Sequence, residues 1–196
     1  MGYRKIENNL RRHQWSGYPQ DFLEFIYNEV IHNKPKRILE FGTGFGFVTT
    51  ALGLGVLDNG VGTIDSYDSY SPNRIWKIPN NVSLVYNHLN NYGLTDIVNL
   101  HEIDDIFSWF DTPKEFDMAF IDIDNDGDKL NKVFNSDFFK NQINNGANVY
   151  FCGGSSERDK INIQRGETPI TNVDCNIECV FGKTQKNCIS KVIGYE

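Results

Sequence analysis

Apolar residues recur every four positions at Phe22, Ile26 and Val30, with Leu23 and Tyr27 beside them, which predicts an amphipathic helix over roughly 19–32. Pro19 and Asp21 suit its first turn. Asn33-Lys34-Pro35 ends it, because a residue before proline is pushed out of helical geometry. The period then shortens, and Arg37-Ile38-Leu39-Glu40-Phe41 reads as a strand. Glycines at 42, 44 and 46 make a tight turn. Val48, Ala51 and Leu52 share one face of a second helix that stops around Gly53 and Gly55. Asn59-Gly60 marks the next turn, and Val61 to Tyr67 reads as a second strand. A loop with Pro72 and Pro79 leads to a helix around 82–92 that Gly93 caps, and Ile97 to Glu102 is the third strand.

Phe116 to Ile123 is the most apolar strand candidate, followed by a helix in which Leu130, Val133, Phe134 and Phe138 face inward. Gly146 introduces a fifth strand, Ala147 to Phe151. Strands that alternate with helices imply a parallel sheet covered on both faces, with right-handed crossovers. The end of the chain breaks the rhythm: Val173 to Phe181 and Cys188 to Tyr195 flank Gly182 to Asn187 and read as a hairpin. The expected fold class is α/β, a doubly wound and mostly parallel sheet with an antiparallel C-terminal hairpin. No internal repeat or second-domain boundary is visible, so residues 1–196 are expected to form one domain.

Charge and composition narrow the partners. A net charge of -7 argues against a nucleic-acid backbone as the main partner, because phosphate binding needs a basic stripe. Arg11, Arg12 and His13 form the only short basic cluster near a terminus and read as part of a solvated segment. No apolar run has signal-peptide or membrane-spanning length, so a cytoplasmic protein with no membrane partner is expected. Cys152, Cys175, Cys179 and Cys188 form no CxxC pair and have no His at zinc-ligand spacing, which predicts buried free thiols. Homo-oligomerisation is left open.

The glycine turn is the first candidate for chemistry. In an open parallel sheet, ligands bind outside the carboxyl ends of the strands. Glycines there let the backbone approach a ligand and expose N–H groups at the start of the next helix. The third glycine follows the second after one residue, whereas dinucleotide-binding turns place two residues there, which disfavours NAD. Asp68 lies 22 residues beyond Gly46, where an acid could accept both ribose hydroxyls of a nucleoside. Asp65 competes for that role, but it falls mid-strand, where an unpaired carboxylate is costly.

Ile38-Leu39-Glu40-Phe41-Gly42-Thr43-Gly44-Phe45-Gly46 resembles the first motif of the class I S-adenosylmethionine-dependent methyltransferases, especially their small O-methyltransferase branch. The resemblance covers about residues 19–152. It implies a Rossmann-like sheet of seven strands, the last antiparallel, with S-adenosyl-L-methionine as cofactor. In the family the glycine turn, here Phe41, Gly42, Thr43, Gly44 and Gly46, holds the methionine part, and the acid matching Glu40 is near its amino group. Gly62 to Asp68 is similar to the second strand with its ribose-binding acid, which assigns Asp68 and the adjacent Ser69 to the cofactor. Asn91-Tyr92-Gly93-Leu94-Thr95-Asp96 resembles the helix end before strand three, and Val98 to Asp105 the strand whose acid contacts the adenine amine, here Asp104 with Asp105 adjacent. Phe116-Asp117-Met118-Ala119-Phe120-Ile121-Asp122-Ile123-Asp124 resembles the fourth-strand motif, where the acid matching Asp122 sits between cofactor and substrate.

Asp122, Asp124, Asp126, Gly127 and Asp128 also imitate the start of a calcium loop, but position twelve is Val133 where a bidentate Glu is needed. Asp126 and Asp128 instead suit the start of a helix. Metal-dependent relatives of the catechol type complete a magnesium site after strand five; here those positions fall on Cys152 and Gly153, so no metal is expected. If the acceptor is a hydroxyl, a base helps. Asp122 or Asp124 is the expected catalytic base, with His13 a distant alternative because N-terminal segments, here residues 1–18, often close over this site in the family. Trp15, Tyr18, Tyr70 and Trp76 suit a pocket wall or the core equally. Residues 153–170 read as a long loop whose Arg158 or Arg165 could hold an anionic group. The expected function is methyl transfer to a small-molecule acceptor such as a sugar hydroxyl; the alternatives are a cofactor-binding protein without transfer activity and an NAD-dependent oxidoreductase.

Overall fold

In the computed structural model, residues 3–6, 18–70, 82–124 and 126–195 are described. The chain divides into two compact units, Met1–Ser108 and Trp109–Glu196. Among the described residues the strands are β1 (Arg37–Phe41), β2 (Thr63–Asp68), β3 (Val98–Glu102), β4 (Met118–Ile121), β5 (Asn148–Cys152), β6 (Asn176–Phe181) and β7 (Ile189–Gly194), in sheet order β3-β2-β1-β4-β5-β7-β6. The pairs β1–β2, β2–β3 and β4–β5 are parallel, and β7 runs antiparallel to both β5 and β6. This is the mostly parallel sheet with an antiparallel ending that the residue pattern predicts, in the Rossmann-like form that the resemblance implies.

In the first unit, α1 (Gln20–Asn33) buries Phe22, Leu23, Ile26, Tyr27 and Val30, the predicted stripe. Pro19 stands just before its first turn, and the chain leaves it through Lys34 in the left-handed conformation. The second helix, α2 (Phe47–Asn59), does not stop at Gly53 or Gly55; it runs on to Gly60. Every residue from Phe47 to Val56 is buried, so this stretch is enclosed on every side, as a central helix is. Its two glycines serve packing. A Cβ on Gly55 would lie 2.7 Å from Cβ of Val30, and one on Gly53 would lie 2.9 Å from Cδ1 of Leu94. Gly55→Ala should therefore force α1 and α2 apart and lower stability by about 1–3 kcal/mol, measured by urea unfolding.

After β2, α3 (Val82–Asn91) ends at the turn that carries Gly93 with a φ of +69°. His88 of α3 is buried, edge-on to Phe47 at 5.6 Å and to Tyr92 at 5.3 Å, and its Nε2 has no hydrogen-bond partner among the described residues. Burial lowers its pKa below the ordinary 6.5. Above that value the ring is neutral in both folded and unfolded chains. As pH falls through 6.5 the unfolded chain takes up the proton first, so stability is lost from there down to the lowered folded value. Urea midpoints should fall between pH 7 and 5 in the native sequence and fall less in His88→Phe.

In the second unit the strands β4 and β5 are fully apolar at their centres. The single helix expected after β4 is two: α4 (Gly127–Phe134) and α5 (Asp137–Asn144). Ser136 caps the second by accepting from the Phe139 N–H, and the break turns Phe139 inward in place of Phe138. Asp126 caps α4 by accepting from the Asp128 N–H at 3.0 Å, the role its position in the aspartate run suggests.

The stretch read as a long loop holds a further helix, α6 (Ser156–Gln164). Ser155 caps it by accepting from the Arg158 N–H, and Glu157 and Asp159 occupy its first turn. Asp159 is buried and takes hydrogen bonds from the Ile170 N–H at 2.7 Å and from the Thr171 N–H and hydroxyl at 3.1 and 2.5 Å, which fixes the chain after the helix. Arg158 is half-buried on α6, and Arg165 follows its last residue in the open. Cys152, Cys175 and Cys188 are buried, Cys179 is half-buried, and all four are free thiols, as expected.

Candidate functional site

The first unit brings Glu40, the glycine turn and Asp68 together at the carboxyl ends of β1 and β2. The parallel register sets Glu40 beside Ser66. Glu40 is 0% exposed, and a carboxylate so far from water needs donors. The Ser66 hydroxyl donates to its Oε2, and the Thr49 hydroxyl, from the first turn of α2, donates to the same oxygen at 2.7 Å. The positive end of α2 favours the negative charge there.

The turn itself is closed by its own backbone. The Gly42 N–H donates to the Tyr67 carbonyl at 2.8 Å, and the Gly46 N–H to the Thr43 carbonyl at 2.8 Å. Gly42, Gly44 and Gly46 have φ of +91°, +53° and +78°, conformations that side chains with a Cβ resist. A Cβ on Gly46 would meet Cγ1 of Val85 at 2.9 Å, whereas one on Gly44 would meet nothing within 4 Å among the described residues. Gly46 thus lets α3 approach, and Gly44 has no described residue against it.

Asp68, the last residue of β2, reaches across to the turn. Its Oδ2 accepts from the Gly44 N–H at 2.7 Å and its Oδ1 from the Tyr70 N–H at 3.0 Å. The rival acid Asp65 lies on the other face of β2, where His101 Nε2 meets it at 2.6 Å and stacks on Tyr67 at 4.4 Å between ring centres. That partner is why a mid-strand carboxylate is tolerated, and it turns Asp65 away from the glycine turn. Phe41 is buried on the same side as Tyr67, edge-on at 6.0 Å, so its side chain belongs to the core.

Ser69 is half-buried directly after Asp68. The Ile103 N–H donates to the Asp68 carbonyl at 3.0 Å, which ties the end of β3 to the end of β2. Asp104 follows in the open, while Asp105 caps the 3-10 helix Ile106–Asp111 by accepting from the Phe107 N–H at 3.0 Å. In the second unit, Asp122 is half-buried just past the end of β4. Asp124 is more exposed, has a φ of +41°, and pairs with Lys129. Among the described residues, no group of three or more His, Cys, Asp and Glu is placed to hold a metal ion. Arg11, Arg12, His13, Trp15 and Trp76 lie outside the described residues.

Thr49 and Ser66 were not singled out by motif reasoning. Ser66 comes beside Glu40 through the parallel register of β1 and β2, in which Phe41 pairs with Tyr67, and no motif marks that register.

No family model matches the chain, and no curated protein matches it in sequence. Solved structures do match. A Klebsiella pneumoniae protein assigned to the O-methyltransferases is 16% identical, with 97% of this chain and 88% of that one covered at a TM-score of 0.68. The O-methyltransferase TomG from Streptomyces achromogenes, solved with S-adenosylmethionine, is 13% identical over 92% and 82% of the two chains at 0.60. A Bacillus cereus O-methyltransferase, solved with S-adenosylhomocysteine, is 15% identical over 93% and 84% at 0.60. At these identities the likeness establishes the fold, which is that of the O-methyltransferases.

Proposed function

We propose that this chain is an S-adenosylmethionine-dependent methyltransferase acting on a small-molecule acceptor, with a hydroxyl of a sugar or another metabolite as the receiving group. The observation that carries the reading is a glycine turn whose Gly44 has no described residue against it, with two acids fixed around it, Glu40 buried beneath and Asp68 bonded across. That arrangement fits the cofactor. A buried carboxylate suits an ammonium group, and each Asp68 oxygen keeps a lone pair for a ribose hydroxyl after accepting one backbone N–H.

When bound, S-adenosylmethionine supplies an electrophilic methyl group. Phe41, Gly42, Thr43, Gly44 and Gly46 would line its amino-acid end with Glu40, and Asp68 and Ser69 its ribose. Asp104 is assigned to the adenine amine in preference to Asp105, whose carboxylate already caps a helix. Asp122 is assigned the acceptor proton; Asp124 is committed to Lys129. The S-adenosylmethionine bound to TomG and the S-adenosylhomocysteine bound to the Bacillus cereus enzyme, both of this fold, support the same class of ligand here.

Isothermal titration should give saturable binding of S-adenosylmethionine and of S-adenosylhomocysteine. No heat of binding for either at millimolar concentration would overturn the cofactor assignment.

A further inference from the structure

Tyr70 is held in a way that its place in the loop after β2 does not require. It is 7% exposed, and its φ of +47° is a left-handed conformation that a bulky residue adopts at a cost of roughly 1–3 kcal/mol. What holds it is a run of hydroxyls. The Tyr70 hydroxyl donates to Thr43 Oγ1 at 3.2 Å, Thr43 Oγ1 lies 2.6 Å from Ser66 Oγ, and Ser66 donates to Glu40.

The proton directions along this run follow from Glu40. An ionised carboxylate only accepts, so the one proton of Ser66 goes to it. Ser66 must then accept from Thr43, and Thr43 from Tyr70. Burial raises the Tyr70 pKa, so the phenol stays protonated and keeps its place as the first donor. The other end of Tyr70, its backbone N–H, is bonded to Asp68. One residue thus joins the two acids assigned to the two ends of the cofactor.

We infer that Tyr70 is a positioning residue for the amino-acid end of the cofactor, acting through Thr43 and Ser66 on the orientation of Glu40. The inference rests on the cofactor reading above. Tyr70→Phe removes the first donor of the run but leaves both backbone bonds to Asp68, so the ribose end keeps its support. The loss should therefore fall on ligands that carry the amino-acid group and spare those that lack it.

The test is titration of two ligands, S-adenosylhomocysteine and 5′-methylthioadenosine, which lacks the amino-acid end, into the native chain and its variants. Tyr70→Phe should weaken S-adenosylhomocysteine by roughly five- to tenfold, the worth of one such hydrogen bond, and 5′-methylthioadenosine by less than twofold. Thr43→Val should show the same split. The double variant Tyr70→Phe/Thr43→Val should be no weaker than either single one, because each breaks the same run. Equal losses for both ligands, additive losses in the double variant, or unchanged affinity in Tyr70→Phe would each overturn the inference. A native chain that binds neither ligand would instead sink the cofactor reading and this inference with it.

Discussion

Asp122→Asn is expected to lower turnover by about 10²- to 10⁴-fold, the usual worth of a positioned general base, with affinity for S-adenosylhomocysteine changed less than twofold. The reasoning starts from β4, whose four residues Met118 to Ile121 are all buried. A strand of that kind is rigid, and the residue just past its carboxyl end sits where parallel sheets present groups to ligands. Asp122 is that residue, and it is half-buried. Asn has the same shape, so the fold should not change, but it cannot take a proton. Asp124→Asn is the control: its carboxylate is 67% exposed and paired with Lys129, and turnover should stay within about threefold. Steady-state rates with an identified acceptor, read beside titration of the cofactor product, separate the two. An Asp122→Asn protein as active as the native one would remove Asp122 from the chemistry. Loss of affinity together with rate would assign it to binding instead.

The second large effect is on affinity. Asp68→Ala should weaken S-adenosylmethionine by about 10²-fold or more, since hydrogen bonds to a charged group contribute roughly 1.5–3 kcal/mol each and a ribose would lose two. The same change releases the Gly44 N–H at 2.7 Å and the Tyr70 N–H at 3.0 Å, so the turn also loses its tether to β2. Asp68→Asn keeps one acceptor oxygen and should fall between the two. Asp65→Ala provides the contrast: it breaks the contact with His101 on the opposite face, and cofactor affinity should hold within about twofold while stability declines. If Asp65→Ala were the variant that lost the cofactor, the ribose assignment would move to it.

Much of this was legible in the residues because it is local. The strand Arg37–Phe41 and the helix stripe of Phe22, Ile26 and Val30 follow from side-chain period alone, and Gly42, Gly44 and Gly46 announce a turn that only glycine tolerates so readily. The misreadings have nonlocal causes. Gly53 and Gly55 look like helix stops, yet they lie inside α2 because Leu94 and Val30 come too close for a side chain, which no local pattern reveals. The helix after Ser155 was hidden by its own polarity: only Asp159 and Asn162 of its nine residues are buried, so it lacks the apolar stripe that marks the others. At the site, the acids could be found by motif, but the partners of Glu40 could not. Ser66 and Thr49 meet it through strand register and helix placement, and a hydroxyl carries no signature in the sequence until that geometry exists.

The position of β7 between β5 and β6 bears on the order in which the molecule can assemble. During synthesis β6 leaves the ribosome before β7, yet its place in the sheet is offered by β7 alone. Until the last strand emerges, β5 presents an open edge and β6 has no ladder to join. The second unit therefore completes its sheet only after translation reaches Gly194, and for that interval the nascent chain depends on other means to keep an apolar strand edge from pairing with a neighbour.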